Sequence, residues 1–399
     1  MIIKNNYNPI ITYDGVTILY GRVIIDNKTT ISNEFLNSLF VNSPNLDEIK
    51  ISLFYTEEPF NLKINNDHIF ITGKNDKEIL LGIINLLSLK QTSMIIPNQI
   101  IQDRPKTNHR EFMLDIARNI VSLKEIKKII DEMFHNRINY LHLHFSDDEN
   151  YAIESKIHPE LNTKAYLTQA EIKELIDYAQ KRGIEIIPEF DMPGHLNHLL
   201  EVKSNLRCNP KSGNSLCFAK NHDYLYELID EICDLFPGEY YHLGGDELGI
   251  KNQCNCSECQ KLISENHLKS PKELAANFIN ELACYIQNKG KKVIVWNDAL
   301  RYGKINEDII IQKWFNYPFD KTCLEEYKKG RKVIISSATD TYLGVPFSLT
   351  PLKKIYHYVP EINDNIVVKP FGVSSHLWTE LISENDEIER AIFPSLQAF

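Results

Sequence analysis

The chain has 399 residues, 43% of them hydrophobic and 10% aromatic, enough for one large buried core and a smaller one. Its formal net charge of -10, from 54 acidic and 44 basic side chains, offers no basic face to a phosphate backbone, so nucleic acid is not an expected partner. The most apolar run, residues 79–89, falls well short of the roughly 20 residues that cross a bilayer, and no membrane span is expected.

The N-terminal sequence MIIKNNYNPIITYDG lacks the basic start, apolar run and small-residue cleavage site of a signal peptide, so a cytoplasmic chain is expected. Residues 1–103 mix β-rich runs at 16–25, 49–55 and 68–72 with helical patterns at 33–40 and 76–89. They read as a small α/β (α+β) domain. Asp103-Arg104-Pro105 interrupts the pattern, because proline disfavours helix in the residue before it, and a linker is placed there.

Over residues 104–399 the chain repeats short apolar strand, polar or Gly-rich turn, and longer amphipathic helix, a rhythm that implies parallel strands joined by helices. Eight strands are expected, at 112–115, 140–145, 184–190, 240–244, 292–296, 309–314, 332–336 and 373–378. The clearest helices lie at 123–136, 168–182, 223–236 and 271–289, with Thr168 and Glu171 spaced as a capping box. Eight such units fit a (β/α)8 TIM barrel better than an open doubly wound sheet, and no Gly-x-Gly-x-x-Gly turn follows the first strand. The chain stops within ten residues of Glu389, in the expected eighth helix, so either a fragment or a shortened final helix is expected.

Barrel enzymes set their reactive groups where strands end. Those ends offer Asp115 and Arg118; Ser146-Asp147-Asp148-Glu149; Glu189, Asp191 and His195; Asp246-Glu247; Trp296-Asn297-Asp298; Trp314; Asp340 to Tyr342; and Trp378 with Glu380. Any one of these has an ordinary explanation as a helix cap or a core residue. Together they include all three tryptophans of the chain, and aromatic faces rimmed by carboxylates are what sugar recognition requires. Asp246 and Glu247 follow two glycines that allow a tight turn, and adjacent carboxylates repel, which suits one of them to general-acid work. Sequence neighbours rarely span the 5 to 9.5 Å of the ordinary two-carboxylate glycosidase mechanism, so another nucleophile is required.

The strings REFMLDIAR (110–118), NYLHLHFSDDENY (139–151), IIPEFDMPGH (186–195), HLGGDE (242–247) and LWTE (377–380) resemble glycoside hydrolase family 20, the β-N-acetylhexosaminidases. The resemblance implies retaining hydrolysis of terminal N-acetyl-β-D-hexosamine in which the substrate's 2-acetamido oxygen attacks the anomeric carbon to give an oxazolinium ion. It implies Glu247 as general acid and base, Asp246 as the group that orients and stabilises the acetamido N–H, and Tyr342 as a donor to the acetamido oxygen. Trp296, Trp314 and Trp378 would wall the pocket, Arg110 and Glu380 would grip hydroxyls, and Asp147 and His195 would support the acid, with Asp148 an alternative to Asp147. Many members follow the tyrosine with Leu and then Asp or Asn. This chain has Leu343-Gly344, which implies that one hydroxyl contact is missing or supplied elsewhere. The resemblance also implies that the small N-terminal domain, residues 1–103, is non-catalytic.

The implied substrate is an N-acetylhexosamine-containing oligosaccharide, no cofactor is implied, and the acidic, cytoplasmic reading of the chain favours short oligosaccharides over polymers. Cys254-x-Cys256-x-x-Cys259 could join Cys208 or Cys217 in a four-thiolate metal site. Three close thiols are a weak metal signal, and unligated thiols are the expectation. Two other readings of the pocket remain: a barrel glycosidase that uses Glu380 or Asp298 as its own nucleophile, and a silent carbohydrate-binding protein.

Overall fold

The computed structural model describes residues 10–18, 22–40, 48–66, 68–92, 95–209, 216–220, 222–248, 256–317, 320–343, 350–362, 366–382 and 385–399. Two compact units form. One comprises the chain to Asn108 with Met133–Arg137 and Tyr178–Ile184, and the other comprises the rest.

The first unit holds a mixed six-stranded sheet of β1 (Ile10–Ile18), β2 (Arg22–Asn27), β3 (Glu48–Tyr55), β4 (Asn61–Asn65), β5 (His68–Gly73) and β6 (Ile95–Gln102), in the order β1-β6-β4-β5-β3-β2. Helices α1 (Asn33–Leu39) and α2 (Asp76–Thr92) accompany it, at the two helical patterns of the sequence. Residues 16–25, expected as one strand, divide between β1 and β2, and β4 and β6 add strands beyond those expected. β4 alternates buried and exposed side chains over only five residues, a pattern too short to stand out.

The second unit is a closed barrel of eight parallel strands. In chain order they are β7 (His109–Asp115), β8 (Tyr140–Ser146), β9 (Glu185–Phe190), β10 (Tyr240–His242), β11 (Lys292–Trp296), β12 (Ile310–Lys313), β13 (Val333–Ile335) and, after the small hairpin β14–β15 (Glu361–Ile362, Ile366–Val367), β16 (Gly372–Leu377). The ring closes by pairing β16 with β7 in parallel from Gly372↔His109 to Leu377↔Leu114. Every expected barrel strand is present, and each is buried almost throughout, because helices cover a parallel sheet outside and side chains fill it within.

The connecting helices follow from their periodicity. In α6 (Asp223–Leu235; α3 to α5 are Leu123–His135, Gln169–Gln180 and Asn197–Val202), Leu225, Leu228, Ile229 and Ile232 recur at helical spacing and are buried. Each such side chain contributes about 1.5–3 kcal/mol. The capping box ahead of α4 forms as expected: Thr168 N–H donates to Glu171 Oε2 at 2.8 Å and Glu171 N–H to Thr168 Oγ1 at 3.2 Å. Among the described residues no helix is long and apolar enough to cross a membrane.

Tyr140, Ile187, Tyr240, Ile294, Ile310 and Ile334 form an apolar plug inside the barrel, with the two tyrosines at the first positions of β8 and β10. The interior is otherwise polar. Glu111, His142, Glu189, His242, Gln312 and His376 are all buried, and the C-terminal strand ends carry the site.

Candidate active site

The turn after β10 sets the geometry. Gly244 and Gly245 both adopt positive φ, +75° and +96°, and Gly245 N–H donates to Asp191 Oδ1 at 3.0 Å. A Cβ on Gly244 would stand 1.8 Å from that same oxygen, so no other residue fits. Gly244→Ala is therefore expected to destabilise the fold by more than the roughly 1–3 kcal/mol of left-handed backbone strain alone. Gly290→Ala is the control, since Gly290 has φ +84° but a Cβ there would meet nothing within 4 Å. Urea unfolding that finds the two variants equally stable would contradict the steric account.

The turn delivers Asp246 inward and Glu247 outward. Asp246 is buried, and its Oδ1 has no hydrogen-bond partner, whereas the Glu247 side chain is 57% exposed. Both line one pocket with Arg118, Asp147, Asp191, His195, Trp296, Trp314, Tyr342, Trp378 and Glu380. The Trp296 and Trp378 rings lie 6.2 Å apart between centroids, and Tyr342 lies 6.3 Å from Trp378. Trp296 Nε1 donates to Glu189 Oε1 at 2.8 Å, and Trp314 Nε1 donates to Asp298 Oδ2 at 2.7 Å, so two of the three indoles are pinned by buried carboxylates. Asp298 also accepts from Tyr317 Oη and, at 3.4 Å, from the Glu247 backbone N–H.

Behind Glu247 stands a relay. His195 Nε2 lies 3.8 Å from Glu247 Oε2, and His195 Nδ1 lies 3.1 Å from Asp147 Oδ1 but 4.0 Å from Asp148 Oδ2. The choice between the two aspartates, open in the sequence, falls to Asp147. Its other oxygen meets His144 Nε2 at 2.8 Å and Arg118 at 2.7 Å. Burial opposes ionisation of Asp147, but His144 and His195 outweigh it and hold the carboxyl well below its usual range. Burial likewise opposes charge on His195, and Asp246 and Asp147 together push its pKa well above the ordinary imidazole value.

Arg110 corrects the sequence reading. It is the second residue of β7, five positions before the strand's C-terminal end, and it does not line the pocket. Arg118 does. It pairs with Asp115 at 3.2 Å and with Asp147, and its guanidinium lies 5.1 Å from the Trp378 ring. Burial disfavours its charge, but Asp115, Asp147 and Glu380 push its pKa up. The strand-end rule that selected the other residues also pointed to Arg118.

The raised carboxyl differs from expectation as well. Repulsion between Asp246 and Glu247 was expected to raise one of them; the structure gives Asp246 a pKa of about 6, with burial as the largest cause, His195 pulling it down, and Asp298 and Glu189 pushing it up. Burial and the neighbouring Asp246 push the Asp191 carboxyl well above its usual range, and it hydrogen-bonds to Asp246. The two share charge as a pair.

Sequence reasoning noted Glu189 at a strand end but missed the layer to which it belongs. Glu189 lies 3.0 Å from His142 Nε2, bonds His144 Nδ1, and faces His242 Nδ1 at 3.0 Å. Glu111 accepts from Gln312 at 2.7 Å and Ser374 at 2.8 Å, and faces His109 at 2.8 Å and His142 at 3.3 Å. Despite burial, these histidines hold both glutamates well below their ordinary range. Carboxylates and imidazoles thus alternate from Glu111 through His142, Glu189, His144 and Asp147 to His195, whose Nε2 stops 3.8 Å from Glu247 Oε2. The alternation of His142 and His144 along β8 places both on the inner face, the one signal of this layer present in the sequence. Gly344 and Cys254 lie outside the described residues.

Residues 108–399 match the model of the glycosyl hydrolase family 20 catalytic domain. The chain is 26% identical over 407 residues to a β-hexosaminidase of Vibrio furnissii, covering 89% of this chain and 65% of that protein. It is 28% identical over 392 residues to a β-hexosaminidase of Porphyromonas gingivalis, covering 86% of this chain and 50% of that protein. It thus spans between half and two thirds of the length of these relatives. The crystal structure of a β-N-acetylhexosaminidase from Bacteroides fragilis superposes with a TM-score of 0.84 at 26% identity, over 97% of this chain and 88% of that one. That of a family 20 exo-β-N-acetylglucosaminidase from Vibrio harveyi superposes equally, at 0.84, with 24% identity over 97% and 71%, a likeness of fold.

Proposed function

The chain belongs to glycosyl hydrolase family 20, and from that premise we propose that it is a retaining β-N-acetylhexosaminidase that removes terminal non-reducing N-acetyl-β-D-hexosamine. The observation that carries this reading is Asp246 Oδ1, a buried carboxylate oxygen without a partner, which shares its pocket with the Tyr342 hydroxyl and three indoles. An amide N–H is the donor that such an oxygen lacks.

In the proposed reaction the sugar's 2-acetamido oxygen attacks the anomeric carbon while Glu247 gives its proton to the departing glycosidic oxygen. Asp246 accepts the acetamido N–H and stabilises the positive charge that spreads over the forming oxazolinium ring, and Tyr342 donates to the acetamido oxygen. Water then attacks the anomeric carbon from the face the leaving group vacated, Glu247 takes its proton, and the ring opens with net retention. Trp296, Trp314 and Trp378 exclude water from the acetamido group, and Arg118 and Glu380 meet the sugar hydroxyls. Asp147 acts through His195, which it orients toward Glu247.

Of the two carboxylates that could serve as a protein nucleophile, Glu380 lines the pocket and Asp298 is poorly placed. Asp298 has both oxygens committed to Trp314, Tyr317 and the Glu247 N–H, and it does not line the pocket. The test pairs 4-nitrophenyl N-acetyl-β-glucosaminide with the plain β-glucoside. Nitrophenol release from the first alone is expected; comparable release from both would establish an enzyme nucleophile, and a folded protein inert to both would be a binding protein.

A further inference from the structure

Four cysteines converge outside the pocket. Cys208 and Cys217 lie on the segment that follows β9 and α5, while Cys256 and Cys259 lie at the start of α7 (Ser257–Glu265), beyond Glu247. Their sulfurs all fall within 4.8 Å of one another, with 3.7 Å from Cys208 to Cys259, 3.6 Å from Cys217 to Cys256 and 3.5 Å from Cys217 to Cys259. An S–S bond of about 2.05 Å is far shorter, so these contacts are not disulfides. A zinc ion bound to four sulfurs at about 2.3 Å sets them about 3.8 Å apart along the edges of a tetrahedron. The contacts sit within a few tenths of an ångström of that edge, and four ligands with one Cys-x-x-Cys pair satisfy the structural-zinc pattern. Cys256 also caps α7, its Sγ accepting the Cys259 N–H at 3.4 Å.

We infer that Cys208, Cys217, Cys256 and Cys259 bind one Zn²⁺ as a tetrahedral tetrathiolate. The four thiols release four protons as the four Zn–S bonds form, with no change of oxidation state. This replaces the expectation of unligated thiols, and it draws both residues named as possible fourth ligands into one set. The ion would tie together two loops of the barrel's C-terminal face. Leu216, next to Cys217, donates its N–H to Pro193 O at 3.1 Å, two residues before His195, and Cys256 lies nine residues after Glu247. The clamp thus joins the segment that carries the imidazole to the one that carries the acid.

The test reads metal rather than turnover, so it stands apart from the hydrolase reading. Freshly purified protein is expected to contain one zinc per chain by elemental analysis. After exchange with Co²⁺ it is expected to show the intense sulfur-to-cobalt and d–d absorption of a tetrahedral thiolate site. Cys256→Ser/Cys259→Ser should lose both signals, and Cys284→Ser, an exposed cysteine outside the cluster, should retain them. Protein that is folded but takes up neither metal, that holds iron in place of zinc, or whose four cysteines are recovered as disulfides by peptide mapping overturns the inference.

Discussion

Glu247→Gln is expected to lower kcat on 4-nitrophenyl N-acetyl-β-glucosaminide by about a hundred- to ten-thousandfold, the range that a positioned general acid and base supplies. The amide preserves shape and cannot transfer a proton. Because Glu247 is more than half exposed at the rim, the change should leave thermal unfolding nearly unaltered, which separates a chemical defect from a folding one. The leaving group gives a second readout. An aglycone acidic enough to depart as its anion needs no proton in the first step, so the deficit should shrink there for glycosidic bond cleavage and persist in the water-dependent step. A loss below about tenfold on both substrates would remove Glu247 from the role.

Asp246→Asn should cost about a hundred- to a thousandfold in kcat, comparable to deleting one charge-stabilising group from a pre-organised site. The pH profile distinguishes this from simple steric disturbance. With its pKa raised to about 6, chiefly by burial, Asp246 is a carboxylate above that pH and a neutral acid below it. Only the carboxylate can accept the acetamido N–H and balance the developing cation. Wild-type kcat/KM should therefore fall as pH drops through about 6, with the apparent value belonging to the Asp191–Asp246 pair. The asparagine variant should show no such limb in that range. An unchanged acid limb in Asp246→Asn would assign the titration to another group.

The barrel could be read from the sequence because each of its strands is a compact apolar run followed by a polar end, a signal that needs no knowledge of partners. The small sheet was read less completely, since the five-residue β4 owes its strand state to pairing with β5 and β6 rather than to its own pattern. Within the site, Asp246, Glu247, His195 and the three tryptophans were found because strand ends concentrate function. Arg110 was preferred to Arg118 on family likeness alone, against the geometric rule, and the strand places it at the other end. Glu111 went unassigned because a carboxylate midway along an apolar run gives no sign of what it will face, and Glu189, though noted at its strand end, was given no role. Their partners, His142, His242, Gln312 and Ser374, come from strands far apart in the chain. The cysteine cluster was half legible: Cys256-x-x-Cys259 is local, but its union with Cys208 and Cys217 is tertiary.

Asp298 holds the Trp314 indole with one oxygen and reaches the Glu247 backbone with the other. The pocket wall at Trp314 and the turn that carries Glu247 therefore share a single anchor. A lineage that trims Trp314 to admit a bulkier sugar also frees one oxygen of the carboxylate that holds the Glu247 turn, so new specificities on this scaffold should arise first in the rim residues that Asp298 does not touch.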